Sequence, residues 1–348
     1  MSDSKAQRRT RLKTSETTLV EETTDLANDE RKTQDRQDPA RQDPIMARRD
    51  KARQERVAAR QAERQRERQQ GRGTAPGGRG LATELDKNLV ADAAKARLKV
   101  FLDAEVERIG KTVGTIHAAP WPRIEGCLVV LFTARSGSTF LARELEYAYD
   151  IGRMGETLNP AQVRGQAVAK IVAKRQGAWF ACKAGLEGVV AGEFYGFFEA
   201  YLEKTWFLRL VRRDIVAQAV SLAKAAQTQQ WHVTDRPRRA AAYDAARIVK
   251  ALKTIATGDQ QLTRYAKRTG RPCRTLTYED ISGGDLSPIL AAGHLLGLPR
   301  RKGDAGVAHR SVERMGDAIN DEWRARFAEE MDASTRDLID QYLDTIQP

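Results

Sequence analysis

The first hundred residues contain no phenylalanine, tryptophan or tyrosine, and all 22 aromatic residues lie from Phe101 onward. A segment without aromatic residues and poor in other large apolar side chains cannot offset its conformational entropy by burial. The folded body is therefore expected to begin near residue 80, with residues 1–80 a disordered or transiently helical basic tail. No segment has about 18 consecutive apolar residues, so no transmembrane helix is expected. The start, "MSDSKAQRRTRLK", has charges but no apolar stretch behind them, unlike a secretory signal. A soluble, cytoplasmic protein is the expectation. Cysteine is scarce: Cys127, Cys182 and Cys273 stand alone, with no CxxC pair. Each sits in a strand-like apolar context. They read as small buried hydrophobes in a reducing compartment, which argues against a disulfide frame and a zinc site. No metal is expected.

What is abundant is positive charge. Lys and Arg number 59 against 47 Asp and Glu, a net charge of +12. Residues 1–80 hold 20 of the basic and 14 of the acidic residues, so they and the remainder carry +6 each. Both parts are suited to anionic partners. Within the tail, residues 46–69 ("MARRDKARQERVAARQAERQRERQ") combine good helix formers without Pro or Gly, but too few apolar residues to define a buried stripe. They suit a solvated helix or an arm for an anionic surface. The Gly-rich "GRGTAPGGRG", 71–80, breaks the chain before the body.

The body, residues 81–348, opens with an apolar periodicity over 83–109 that predicts one amphipathic helix, a candidate for packing on the body or for a homodimer. Beyond it, strand-like runs at 127–134, 179–185, 206–213 and 273–278 alternate with helix-like runs at 139–149, 161–176, 187–203, 214–228 and 239–267. That alternation predicts an α/β fold, a three-layer parallel sheet flanked by helices. Ligands of such sheets bind at the carboxyl ends of the strands, where Arg135 and Arg213 fall. Further C-terminal helices are expected to residue 348, with Trp323 in the core.

The turn after the first strand is "FTARSGSTFL". A strand, a turn of small and hydroxylated residues, then a helix near Thr139 is a P-loop-like anion cradle. The first amides of a helix lack internal partners and point outward, and the helix dipole favours negative charge. Gly137 permits close approach, Ser136, Ser138 and Thr139 add hydroxyls, and Arg135 adds a permanent charge. The GxxxxGK[ST] pattern of nucleotide triphosphatases is missing, lysine included, which disfavours a kinase or ATPase. A second strand exit, "LRLVRRDIVAQAVSLAKAAQTQQWH", places Arg213 at the turn and Ser221 about two turns into the next helix. Both can face one crevice and hold a second phosphate-like group.

Taken together, "FTARSGSTFLAREL", "MGETLNP", "RRDIVAQAVSLAKAAQTQQWH" and "TLTYEDI" resemble the sulfotransferases that use 3′-phosphoadenosine-5′-phosphosulfate (PAPS), and among them the bacterial trehalose and lipopolysaccharide family. The resemblance spans about residues 126–300. It implies transfer of a sulfonate group from PAPS to a hydroxyl of a sugar, glycolipid or other acceptor, without a metal. By the same resemblance, Arg135, Ser136, Gly137, Ser138 and Thr139 would hold the 5′-phosphosulfate; Arg135 also sits where charge builds on the bridging oxygen as the S–O bond breaks. Arg213 and Ser221 would hold the 3′-phosphate. Glu156 would be the general base, with His232 as the rival, and Gln227, Trp231 and His232 would line the acceptor side. Lys183 could lie near the sulfonate, and Arg301-Lys302-Gly303 matches a triplet that closes the nucleotide site in some sulfotransferases. The chain departs from the family pattern at Thr157-Leu158, where an aromatic is usual, and at "CKAGLEG" around Lys183. The competing function is a nucleic-acid or anionic-surface binding protein acting through the basic arm.

Overall fold

The computed structural model describes residues 90–117, 119–175, 177–231, 235–283, 285–301 and 317–346. The basic tail 1–80, its arm 46–69 and the first part of the expected 83–109 helix lie outside these. So do His232, Lys302 and Gly303.

Four strands form one sheet in the order β2-β1-β3-β4, with every neighbouring pair parallel. They are β1 (Gly126–Phe132), β2 (Trp179–Ala184), β3 (Thr205–Val211) and β4 (Cys273–Thr277). The central strand β1 is "GCLVVLF" and buried at every residue, as a strand covered on both faces must be. Its side chains divide between two cores. Cys127, Val129 and Leu131 join one cluster, and Leu128 and Val130 join another. Alternate residues of a strand point to opposite faces, so the sheet is the middle layer of three.

Helices precede and connect the strands. They are α1 (Asp92–Leu98), α2 (Asp103–Val113), α3 (Ser138–Ala148), α4 (Pro160–Val163), α5 (Val168–Ala173), α6 (Leu186–Phe194) and α7 (Phe197–Tyr201). After β3 come α8 (Ile215–Thr228) and α9 (Ala245–Thr269). After β4 come α10 (Tyr278–Ser282), α11 (Ser287–Leu295), α12 (Ala318–Glu330) and α13 (Ala333–Ile346). Helices α1, α2, α6, α7 and α9 contribute to the first core, and α3 and α11 to the second. A third apolar cluster joins α8, α9, α12 and α13, with Trp323 buried in it.

Four expectations are corrected. The single amphipathic helix expected over 83–109 is two helices where it is described. Val100 and Phe101 donate their amides to the carbonyls of Arg97 and Leu98 in a tight turn. Burying both Leu98 and Phe101 requires that turn, and the Phe101 ring settles 5.7 Å from Tyr265. The runs at 161–176 and 187–203 are likewise divided, by left-handed residues at Arg164-Gly165 and at Gly196. The run at 239–267 starts late, because Asp244 caps α9 by accepting from the Arg247 amide. Cys127 and Cys182 are buried as expected, but Cys273 is exposed because β4 is an edge strand.

Candidate active site

Because the sheet is parallel and β1 and β3 are neighbours, both cationic turns emerge at one carboxyl edge. After Phe132 the chain turns through Thr133 to Gly137 and enters α3. Arg135 has φ 67°, the left-handed region, which disfavours a residue with a Cβ by roughly 1–2 kcal/mol. Its guanidinium compensates by donating through Nε to Ser221 Oγ at 2.9 Å and through Nη1 to the Trp231 carbonyl at 2.9 Å. Burial, and secondarily the neighbouring Arg212, push the Arg135 pKa down from its ordinary value. Gly137 has φ 92°, and a Cβ there would collide with the ring of Tyr278 at the start of α10. Only glycine fits this close approach.

The turn is clamped from behind by Gln218 of α8, which is fully buried. Its Nε2 donates to Thr133 Oγ1 at 2.9 Å and to the Ala134 carbonyl at 2.8 Å. Sequence reasoning assigned Gln218 no role; its one available sign was a glutamine within the apolar face of α8. Ser136 is also fully buried, and its hydroxyl makes no hydrogen bond. An unpaired buried hydroxyl is costly, and this one lies in the turn between β1 and the start of α3.

The second turn, Arg212-Arg213-Asp214, is held by α10. Glu279 accepts the amides of Arg213 and Asp214 at 3.0 and 3.1 Å. Asp214 caps α8 by accepting the Ala217 amide at 2.9 Å. The Arg212 guanidinium lies 4.7 Å from the centre of the Tyr278 ring, so Tyr278 touches both turns. Arg213 Nη2 donates to Asp280 Oδ1 at 2.6 Å. The structure thus brings Ser221 to Arg135 and turns Arg213 onto a carboxylate.

Glu156 is tied to the start of α3 through Lys183. Its Oε1 is 3.6 Å from Lys183 Nζ, and its Oε2 accepts from Asn159 Nδ2 at 3.4 Å. Lys183, buried at the end of β2, donates to Thr139 Oγ1 at 3.2 Å. Burial lowers the Lys183 pKa, and the nearby Glu156 opposes that shift. A chain of polar contacts therefore runs from Thr139 through Lys183 to Glu156. Gln227 Oε1 accepts the Ala242 amide at 3.1 Å, which directs it toward the segment before α9. Trp231 is 42% exposed and donates its amide to Asp235 Oδ2 at 3.0 Å. Arg301 lies at the far end of α3, its amide donating to the Ala148 carbonyl at 3.2 Å. No group of three or more potential metal ligands occurs among the described residues.

A family model described as "Sulphotransf: Stf0 sulphotransferase" matches residues 191–330. That span includes Arg213, Ser221, Gln227 and Trp231 and excludes the Arg135–Thr139 turn and Glu156. The match supports a sulfotransferase, and sulfonate transfer as the general chemistry. No curated protein matches the chain. Among solved structures, a sulfotransferase from Alicyclobacillus acidocaldarius is similar at 17% identity and a TM-score of 0.35, over 63% of this chain and 96% of that one. The mouse sulfotransferase SULT7A1 complexed with PAP is similar at 11% identity and a TM-score of 0.33, over 60% of this chain and 66% of that one.

Proposed function

We propose that this protein transfers a sulfonate group from PAPS to a hydroxyl of a carbohydrate or glycolipid by in-line displacement. The observation that carries this reading is the meeting of two cationic turns at one sheet edge, with Arg135 bonded to Ser221 across the gap between β1 and α8. A donor with phosphate groups at both ends needs two such turns. Its 5′-phosphosulfate suits Arg135 to Thr139, where the Ser136 hydroxyl is unpaired and the first amides of α3 face outward. Its 3′-phosphate suits Arg213 and Ser221, and it would take over the position on Arg213 that Asp280 occupies.

The chemistry follows from charge placement. A bond forms from the acceptor oxygen to sulfur as the bond from sulfur to the bridging phosphate oxygen breaks. The leaving phosphate gains negative charge, which Arg135 and Lys183 stabilise. Preorganised donors of this type contribute about 3–4 kcal/mol each. Glu156 accepts the acceptor's proton, with a rate contribution on the order of 10²–10⁴. Lys183 keeps the Glu156 carboxylate beside the turn.

The test is calorimetric titration of 3′-phosphoadenosine 5′-phosphate into the wild-type protein and into Arg213→Ala, with sulfur-35 transfer from PAPS to a panel of sugars. The wild type is expected to bind and to label a hydroxylated acceptor, and Arg213→Ala to bind at least about tenfold more weakly, the effect of a lost charged hydrogen bond. Absent binding by the wild type, or equal binding by the variant, would sink the reading.

A further inference from the structure

A cleft of about 940 Å³ opens between α3 and the segment after α5, within the size range of small-molecule sites. Its wall is unusually cationic: Arg143 of α3, Arg153, Lys174 and Arg175 after α5, and Arg301. Two acids share it, Glu146 and Asp150. Glu146 is already engaged, accepting the Met154 amide at 2.6 Å. Arg143, Arg153, Lys174 and Arg301 form no salt bridge among the described residues. With five cations against two carboxylates, one of them engaged elsewhere, the wall carries an excess of positive charge that an incoming anion relieves.

The cleft adjoins the proposed reaction centre. Arg175 Nη2 donates to Thr157 Oγ1 at 2.6 Å, one residue from Glu156. The other terminal nitrogen, Nη1, is buried and has no hydrogen-bond partner. Arg143 and Glu146 of α3, which also line the cleft, lie within electrostatic reach of Lys183. The donor-side cations Arg135, Arg212 and Arg213 do not line this space.

We infer that this cleft is the acceptor subsite, and that it takes a hydroxylated molecule carrying an oxyanion, such as a phosphate or carboxylate, beside the reacting hydroxyl. The inference rests on the sulfotransferase reading for the word acceptor, and on the cleft's own charges for the anion. Arginine forks match phosphate and carboxylate oxygens in pairs, so a planar or tetrahedral oxyanion is the group they select. A neutral sugar would leave the cations unpaired.

The experiment compares glucose 6-phosphate, glucuronate, methyl glucoside and inorganic phosphate by calorimetry on the full chain, with and without saturating 3′-phosphoadenosine 5′-phosphate. It is repeated on Arg153→Gln/Lys174→Gln, whose two side chains are exposed and outside the donor turns. Glucose 6-phosphate or glucuronate is expected to bind at least tenfold more tightly than methyl glucoside and inorganic phosphate. The double variant is expected to lose that preference while keeping its nucleotide affinity. Equal binding of charged and neutral sugars, a preference that survives in the double variant, or binding of inorganic phosphate as tight as the sugar phosphate would each overturn the inference. Should the nucleotide fail to bind while the sugar preference persists and depends on Arg153 and Lys174, the donor reading falls and the anion-selective cleft stands.

Discussion

Ser136 carries the clearest mark of a missing partner. Its side chain is fully buried and its hydroxyl unsatisfied, a state that typically costs about 1–3 kcal/mol. On the proposed reading, a serine kept at that cost in a turn between Arg135 and a helix start pairs with the arriving anion. Ser136→Ala is expected to leave the ligand-free protein as stable or about 1 kcal/mol more stable. Affinity for 3′-phosphoadenosine 5′-phosphate should fall by about tenfold, the loss of one charged hydrogen bond. Thermal melting and calorimetry read the two effects separately. A variant that melts earlier but binds unchanged would make the hydroxyl a structural group. Arg135 illustrates the same economy of position: its left-handed backbone points the guanidinium across to Ser221.

At the scale of elements, the site depends on a piece that supplies no cation. Helix α10 presents Glu279 to the amides of Arg213 and Asp214 and Tyr278 to Gly137 and Arg212. Glu279→Ala removes two hydrogen bonds, so a loss of about 2 kcal/mol in stability is expected. Faster hydrogen exchange at the Arg213 and Asp214 amides should accompany it, and their unchanged protection would refute the clamp. The four strands and both cationic turns were legible in the sequence, because buried parallel strands read as continuous apolar runs and small-residue turns interrupt them. The Glu279 clamp was not, because its partners lie 66 and 65 residues away and are backbone amides. Nor was the division of the 83–109 run, since Leu98, Phe101 and Leu102 suit one helical face by spacing. Tertiary contact with Tyr265 selects Phe101 for the core and leaves Leu102 exposed. Lys183 stood in an apolar strand, yet its tie to Thr139 and Glu156 needed the pairing of β2 with β1 to become visible.

For the described body as a whole, the sheet that carries both cationic turns is also secured by contacts away from them. Arg97 of α1 makes a bidentate contact with Glu193 of α6, at 2.7 and 2.9 Å, and Tyr265 of α9 donates to the same carboxylate at 2.6 Å. The Glu193 side chain is fully buried and that of Arg97 only 11% exposed. Removing one partner from such a pair leaves an uncompensated charge in the interior, at a cost of about 3–5 kcal/mol. Arg97→Ala should therefore lower the urea midpoint substantially. Arg97→Met with Glu193→Gln, which removes the charge as well as its partner, should recover much of the loss. Neither residue approaches Arg135, Ser221 or Glu156 through any described contact, so nucleotide affinity at low temperature should hold in both variants. If Arg97→Ala instead weakens nucleotide binding in protein that remains folded, the first core and the reactive edge are coupled. The three-layer sheet would then transmit strain to the site as well as support it.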